Sequence, residues 1–225
     1  MSYAWRIGLV AVLALILITV AAVVTASALL NRRTDKEALE VLSTVPLEPR
    51  EMIEQADLVG LPHCVQKWME RSGVVGKEKT RTVRLTQRGH MRLEEGKPWM
   101  PVEAVQYINV DEPGFVWKAE VKAAPLINLV GRDKYYQGHG SMQFRLLGLV
   151  PIVDARPGKE MDQSTLLRYL AEMLWYPTAA LNDYINWEEL DAHSARATMT
   201  WQGVSASMVF RFNDEGDMVS SVARR

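Results

Sequence analysis

The 24 residues from Ile7 to Leu30 contain no charge and no proline, and this run constrains the chain more than any other feature. At 1.5 Å of rise per residue, a helix of that length extends ~36 Å, enough to cross the ~30 Å hydrocarbon core of a bilayer. Tyr3 and Trp5 stand where interfacial aromatics belong, and Arg6 on one side and Arg32, Arg33 and Lys36 on the other close the run sharply. A cleaved signal peptide is the competing interpretation, since Ala26-Ser27-Ala28 has the small-residue character of a cleavage site. The run outlasts the ~7–15 residues of a usual signal core, which favours a retained single-pass anchor. Arg6 and the amino terminus against three cations beyond the span is too small a difference to set orientation, and the soluble part is expected on the extracytoplasmic side.

The chain beyond the anchor is long enough for one ordinary domain and too short for two comfortable ones, given ~100–200 residues per domain. We divide the chain into an anchor at 1–33, a stalk or linker at 34–49 interrupted by Pro46 and Pro49, and a folded domain at 50–225. The formal charge of -1 shows no basic excess, so nucleic acid is not expected as a partner. Cys64 is the only cysteine; it excludes an internal disulfide and a multi-thiolate metal site, and is expected to be a small buried residue.

Within the domain, Leu61-Pro62 followed by Val65, Trp68 and Met69 predicts a short amphipathic helix stopped at Gly73. The period then changes to two. Between Arg81 and Leu93, Val83, Leu85, Gln87, Gly89, Met91 and Leu93 alternate with Thr82, Arg84, Thr86, Arg88, His90 and Arg92, giving one inward and one basic outward face. Phe115, Trp117, Ala119 and Val121 repeat the pattern, as do Tyr136, Gly138, Gly140, Met142 and Phe144. Ala195 to Trp201 and Val204 to Phe212 read as a hairpin turned at Gln202-Gly203, followed by a turn at Asn213-Asp214-Glu215-Gly216. The inward glycines Gly89, Gly138 and Gly140 suggest bends or a close approach. One longer helix is predicted from about Asp162 to Trp175, with Leu167, Leu170, Ala171 and Leu174 on one face and Pro177 at its end. The expected fold is α+β: a single N-terminal transmembrane helix, then a strongly curved, mainly antiparallel β-sheet, a half-barrel, with a helix inserted against its concave face.

The run Arg168-Tyr169-Leu170-Ala171-Glu172-Met173-Leu174-Trp175-Tyr176-Pro177-Thr178-Ala179 resembles the signature of an uncharacterised, membrane-associated bacterial domain family of unknown function. Leu85-Thr86-Gln87-Arg88-Gly89, Val105-Gln106-Tyr107, Pro113-Gly114-Phe115-Val116-Trp117 and Asp133-Lys134-Tyr135-Tyr136-Gln137-Gly138-His139-Gly140 agree with it, and the likeness runs from Leu61 to the C-terminus. It implies no activity. It does imply further strands beyond Arg225, so a shortened sheet or an open edge is expected. A curved sheet holding a helix also looks like the lipid-binding folds of bacterial envelopes, a likeness of architecture alone.

Chemistry-bearing patterns are sparse. His63, His90, His139 and His193 lack metal-ligand spacing, there is no phosphate-binding loop, and Ser141 and Ser164 lack a nucleophile elbow, so neither a cofactor, a metal nor an enzyme activity is expected. Arg168 and Glu172, four apart on a helix that also carries Tyr169 and Trp175, are the best polar pair. They suit either a ligand head group or an ion pair that fixes the helix on the sheet. Gln87 and Gln106 each interrupt an inward row and must find partners, in the inserted helix or a backbone bend sooner than in a ligand. Trp175, in the last turn before Pro177, is expected to be buried and to lock the helix end. The outward Arg84, Arg88 and Arg92 read as a solvated strand face or as a contact for anionic lipid heads. Candidate ligand-binding residues are therefore Arg168, Glu172, Tyr169, Trp175, Gln87, Gln106 and Trp117. The expected function is a membrane-tethered module that binds an apolar or lipid-like ligand; the alternative is a non-enzymatic envelope structural or assembly protein that recruits a partner at an open sheet edge.

Overall fold

The computed structural model describes residues 3–45, 51–92 and 94–223. Helix α1 spans Tyr3–Leu42 without interruption. Its first part is long and apolar enough to cross a membrane, a property shared by anchors and signal sequences, and its most apolar stretch is not buried by the rest of the protein. Its last turns are different. Ala38 and Val41 are buried with Val116, while Asp35, Glu37 and Glu40 pair with Lys118 (2.7 Å), Arg132 (3.1 Å) and Lys134 (3.1 Å) on the sheet. Asn109 Nδ2 donates to the Val41 carbonyl and to Thr44 Oγ1, satisfying acceptors at the helix end. The region expected to be a free stalk is thus a docked helix in 34–42; 46–50, with Pro46 and Pro49, lies outside the described residues.

The strands form two antiparallel meanders. The first sheet has β1 (Thr82–Met91), β2 (Met100–Asn109), β3 (Gly114–Ala124), β4 (Ile127–Tyr136), β5 (His139–Leu146) and β6 (Val150–Ala155), in that order. The second has β7 (Ile185–Asp191), β8 (Ser194–Trp201), β9 (Val204–Phe212) and β10 (Met218–Val222), also in sequential order. Short hairpins make sequential antiparallel pairing the natural result of one-sided alternation. Helix α2 (His63–Ser72) starts after Pro62, ends on left-handed Gly73, and stacks Trp68 on Phe212 of the second sheet.

Helix α3 (Lys159–Ala171) lies between the sheets, against β9 on one side and β5 and β4 on the other. Because it is enclosed from two directions, Thr165, Leu166, Leu167, Tyr169 and Leu170 are all buried, a wider arc than the single stripe expected. The helix starts three residues before the predicted Asp162 and its α geometry ends at Ala171: Glu172–Trp175 is a 3-10 turn, and a second such turn covers Pro177–Leu181.

A half-barrel is not what encloses the helix. Two separate sheets do so, and neither is strongly curled. The segment from Tyr136 to Phe144 is not one strand, because Gln137 and Gly138 both adopt positive φ and turn β4 into β5. Of the three inward glycines, Gly89 has open space around it, Gly138 serves this turn and comes close to Gln202, and Gly140 is the close approach to α3. A Cβ on Gly140 would collide with Thr165 Oγ1 and lie 2.7 Å from the Met161 carbonyl oxygen, where α3 crosses β5. Asp162 Oδ1 accepts from the Gly140 N–H at 2.7 Å and holds that crossing. Gly140→Ala is expected to destabilise the domain by ~1–3 kcal/mol, as overpacking does. Gly89→Ala is expected to be neutral or to raise the melting temperature slightly, since glycine inside a strand costs roughly 0.5–1 kcal/mol relative to alanine. Thermal melting of the two variants checks both.

Candidate functional site

Strand register puts Gln106, Trp117 and Asp133 side by side on β2, β3 and β4, on the face turned to α3. Arg168 on α3 and Glu172 in the following 3-10 turn reach this row, completing an unbroken hydrogen-bond chain. Trp117 Nε1 donates to Gln87 Oε1 (2.7 Å), Gln87 Nε2 to Gln106 Oε1 (3.3 Å), and Gln106 Nε2 to Glu172 Oε2 (2.6 Å). Arg168 Nε donates to the other Glu172 oxygen (2.8 Å) and Nη1 to Asp133 Oδ2 (2.5 Å). The guanidinium carbon also lies 4.9 Å from the Phe115 ring centre and 5.1 Å from that of Trp117. Cation–π stacking of this kind strengthens as water is removed.

One cation therefore sits between two carboxylates in a largely dry place. Asp133 is 2% exposed and Arg168 27%. Burial is the main influence on Asp133 and raises its pKa above the ordinary aspartate range, against the opposing pull of Arg168. Burial would lower the pKa of Arg168, but Glu172 and Asp133 outweigh it, so the guanidinium stays charged more firmly than usual. Asp133 Oδ1 is buried without a hydrogen-bond partner.

Five of the seven sequence candidates thus converge: Arg168, Glu172, Gln87, Gln106 and Trp117. Tyr169 and Trp175 do not join them. Tyr169 is fully buried on another side of α3, where its hydroxyl donates to the Asn109 carbonyl and meets Tyr184. Trp175 is 42% exposed, which corrects the expectation that it locks the helix end. The change from α to 3-10 geometry rotates Trp175 outward and turns Tyr176 inward. Tyr176 is 1% exposed and donates to the Tyr169 carbonyl at 2.6 Å. Asp133 was missed, because in its sequence neighbourhood of Arg132 and Lys134 it reads as one more surface charge. Counting back from Tyr136, read as inward, alternation put Asp133 on the outer face, whereas Tyr135 and Asp133 are the buried residues and Tyr136 packs on the α1 side.

Beyond this polar chain the inner face of the first sheet carries a separate apolar cluster. Val121, Leu129 and Phe144 are buried and packed against partly exposed Met91, Met100, Val102, Met142, Leu146 and Val153, with Trp117 at the border of both clusters. All of these residues come from β1–β6. Phe144 lies flat over Gly131, whose missing Cβ makes room for the ring. On the opposite face, a cleft of about 640 Å³ between α1 and β4–β6 is lined by charges already engaged with each other, such as Glu37 with Arg132. Among the described residues, no three His, Cys, Asp or Glu side chains are placed to hold a metal ion.

Arg168→Met is expected to destabilise the domain by about 3 kcal/mol at neutral pH, because it strands the Asp133 carboxylate in a dry site. Asp133 already has a raised folded pKa, and loss of Arg168 raises it further. A carboxyl raised in the folded state favours folding below its unfolded pKa of about 4 and ceases to do so as pH climbs through the folded value. The gap in melting temperature between wild type and Arg168→Met is therefore expected to be widest near pH 7 and to narrow towards pH 4. Asp133→Asn in the Arg168→Met background should recover part of the loss and flatten that pH dependence.

The helix motif at Arg168–Ala179 and the strand fragments around Gln87, Gln106, Trp117 and Asp133 all fall within one recognised region. A family model described as a family of unknown function (DUF6544) matches residues 51–225. No curated protein and no solved structure matches the chain. With the match covering most of its length, this chain belongs to DUF6544, a family of unknown function.

Proposed function

We propose that the protein is a non-catalytic, membrane-tethered module that takes an apolar or lipid-like chain along the methionine-lined part of the first sheet. The observation that carries this reading is the cluster of Val121, Leu129 and Phe144, against which the partly buried Met91, Met100 and Met142 of the same sheet pack. Methionine is unbranched and flexible, so such side chains can part and close again around a guest. The Arg168 chain supports the same reading as a rigid boundary. Its hydrogen bonds run within the protein, with Asp133 Oδ1 left over, so it separates the core under α3 from the methionine-lined side. α1 is read here as a retained single-pass anchor. Ser27 touches Gly148 of the folded domain, and a Cβ on that glycine would stand 2.7 Å from Ser27 Oγ, so cleavage around Ala26-Ser27-Ala28 would cut inside a packed contact.

Native mass spectrometry of the full chain in mild detergent is expected to show an acyl-chain adduct. Met100→Lys and Met142→Lys should each reduce it severalfold without changing expression. A spectrum free of adduct, or an adduct indifferent to both substitutions and so belonging to α1, would refute the binding role.

A second reading, assembly through a sheet edge, is favoured by β10, where Val219 and Val222 are more than half exposed on the outermost strand of the second sheet. Such an edge offers unpaired backbone groups to a partner strand. Cross-linking in membranes from a photoreactive group at Val219 is expected to trap a protein of defined mass under this reading, and only lipid or nothing otherwise.

A further inference from the structure

The contacts of α1 order the first sheet relative to the apolar run. Ser27, inside that run, meets the turn at Leu147–Gly148, Asp35 meets Lys118, and Val41 at the helix end meets Val116 and Asn109. In a sequential meander, alternate hairpin turns share one end. The β1–β2, β3–β4 and β5–β6 turns therefore lie at the level of Ser27, and the β2–β3 and β4–β5 turns lie at the far end. Ser27 precedes the last apolar residue, Leu30, by ~4–5 Å of helix rise, so its level is close to the end of the apolar run.

The two ends differ in chemistry. The near end exposes Trp99, Leu126, Ile127, Leu149, Val150 and Ile152, with Leu126 at 96%. Four non-glycine residues among those described have positive φ, and all sit in hairpin turns. Gln137, in the far β4–β5 turn, and Gln202, in the β8–β9 turn of the second sheet, are polar. At the near end they are Leu126 and Leu147. A left-handed turn position normally takes Gly, Asn or Asp, and a leucine there has neither the conformational nor the solvation advantage in water. Arg92 stacks over the exposed Trp99 ring at 4.9 Å, the pairing of cation and aromatic ring that suits the headgroup region.

We infer that these three hairpin tips dock into the interface of the same bilayer that α1 crosses, so that the first sheet stands with its near end in lipid headgroups and its far end in water. The inference rests on α1 being a retained anchor and holds whether or not the methionine-lined strip takes a ligand. The lipid surface is the occupant because the tips lie beside the apolar run itself, at its boundary.

The test uses the full chain in vesicles of phosphatidylcholine and phosphatidylglycerol. Single cysteines Leu126→Cys and Ile152→Cys at the near end, and Gln137→Cys and Glu112→Cys at the far end, are labelled with an environment-sensitive nitrobenzoxadiazole dye. Cys64 is buried and is left unlabelled under native conditions, which intact mass confirms by a single dye per chain. The near-end labels are expected to emit at shorter wavelength and to be quenched by lipids doxyl-labelled near the headgroup, while the far-end labels behave as in water. Two near-end positions guard against one variant that fails to fold. Water-like emission at both near-end sites with an intact N-terminus overturns the inference alone. Loss of the N-terminal residues in the intact mass overturns the anchor and the docking together, and quenching at all four sites overturns the upright placement.

Discussion

The Arg168 guanidinium is the charged tie between α3 and the first sheet, beside the Asp162–Gly140 bond. Arg168 leaves α3, which is packed on the second sheet, and binds Asp133 on the central part of the first, while its partner Glu172 holds Gln106 two strands away. The apolar contacts of α3 would tolerate sliding along the sheet, since dispersion and burial have little directional preference. Hydrogen bonds to a buried carboxylate and amide do not tolerate it, because each broken bond leaves an unsatisfied group in a dry place. The ion pair thus contributes register more than net stability. The aromatic rings of Phe115 and Trp117 beneath it add a flat seat that fixes the plane of the guanidinium.

The same sandwich explains how the rest of the core is divided. On the far side of the polar chain the helix and the second sheet bury Ile108, Phe115 and Tyr135; on the near side the sheet buries its own Val121 and Leu129 against flexible side chains. Rigid and compliant regions therefore share one continuous set of strands. Tyr169, Tyr176 and Tyr184 reinforce the rigid side by capping stray carbonyls, and burial raises the pKa of each hydroxyl so that it remains a donor.

Local periodicity made much of this legible in the sequence. Alternation identified the inward registers of β1, β3, β8 and β9, and Pro62 with Gly73 bracketed α2, because these signals are settled within a few residues. Gln87 and Gln106 stood out because an amide on an apolar row needs a partner, and both found one. Long-range geometry was not legible. Whether one curled sheet or two flatter ones enclose α3 depends on how the hairpins stack, which no local period records. Trp175 and Tyr176 exchanged roles because a change from 3.6 to about 3 residues per turn rotates the next side chains by tens of degrees. Asp35 to Leu42 looked like a stalk because the cations that hold it, Lys118, Arg132 and Lys134, are remote in sequence and line up beside it only when the sheet has formed.

Continuity of α1 has a consequence for encounters. Tethered domains on flexible linkers explore a volume and approach partners in any attitude, but a helix that passes from the apolar run into packed contact with β2, β3 and β4 leaves no hinge among residues 27–42. With α1 in a bilayer, the domain is left with lateral diffusion and spin about the membrane normal. Its height and the face it shows are constant. In that setting anything it meets on the membrane is met edge-on, in two dimensions.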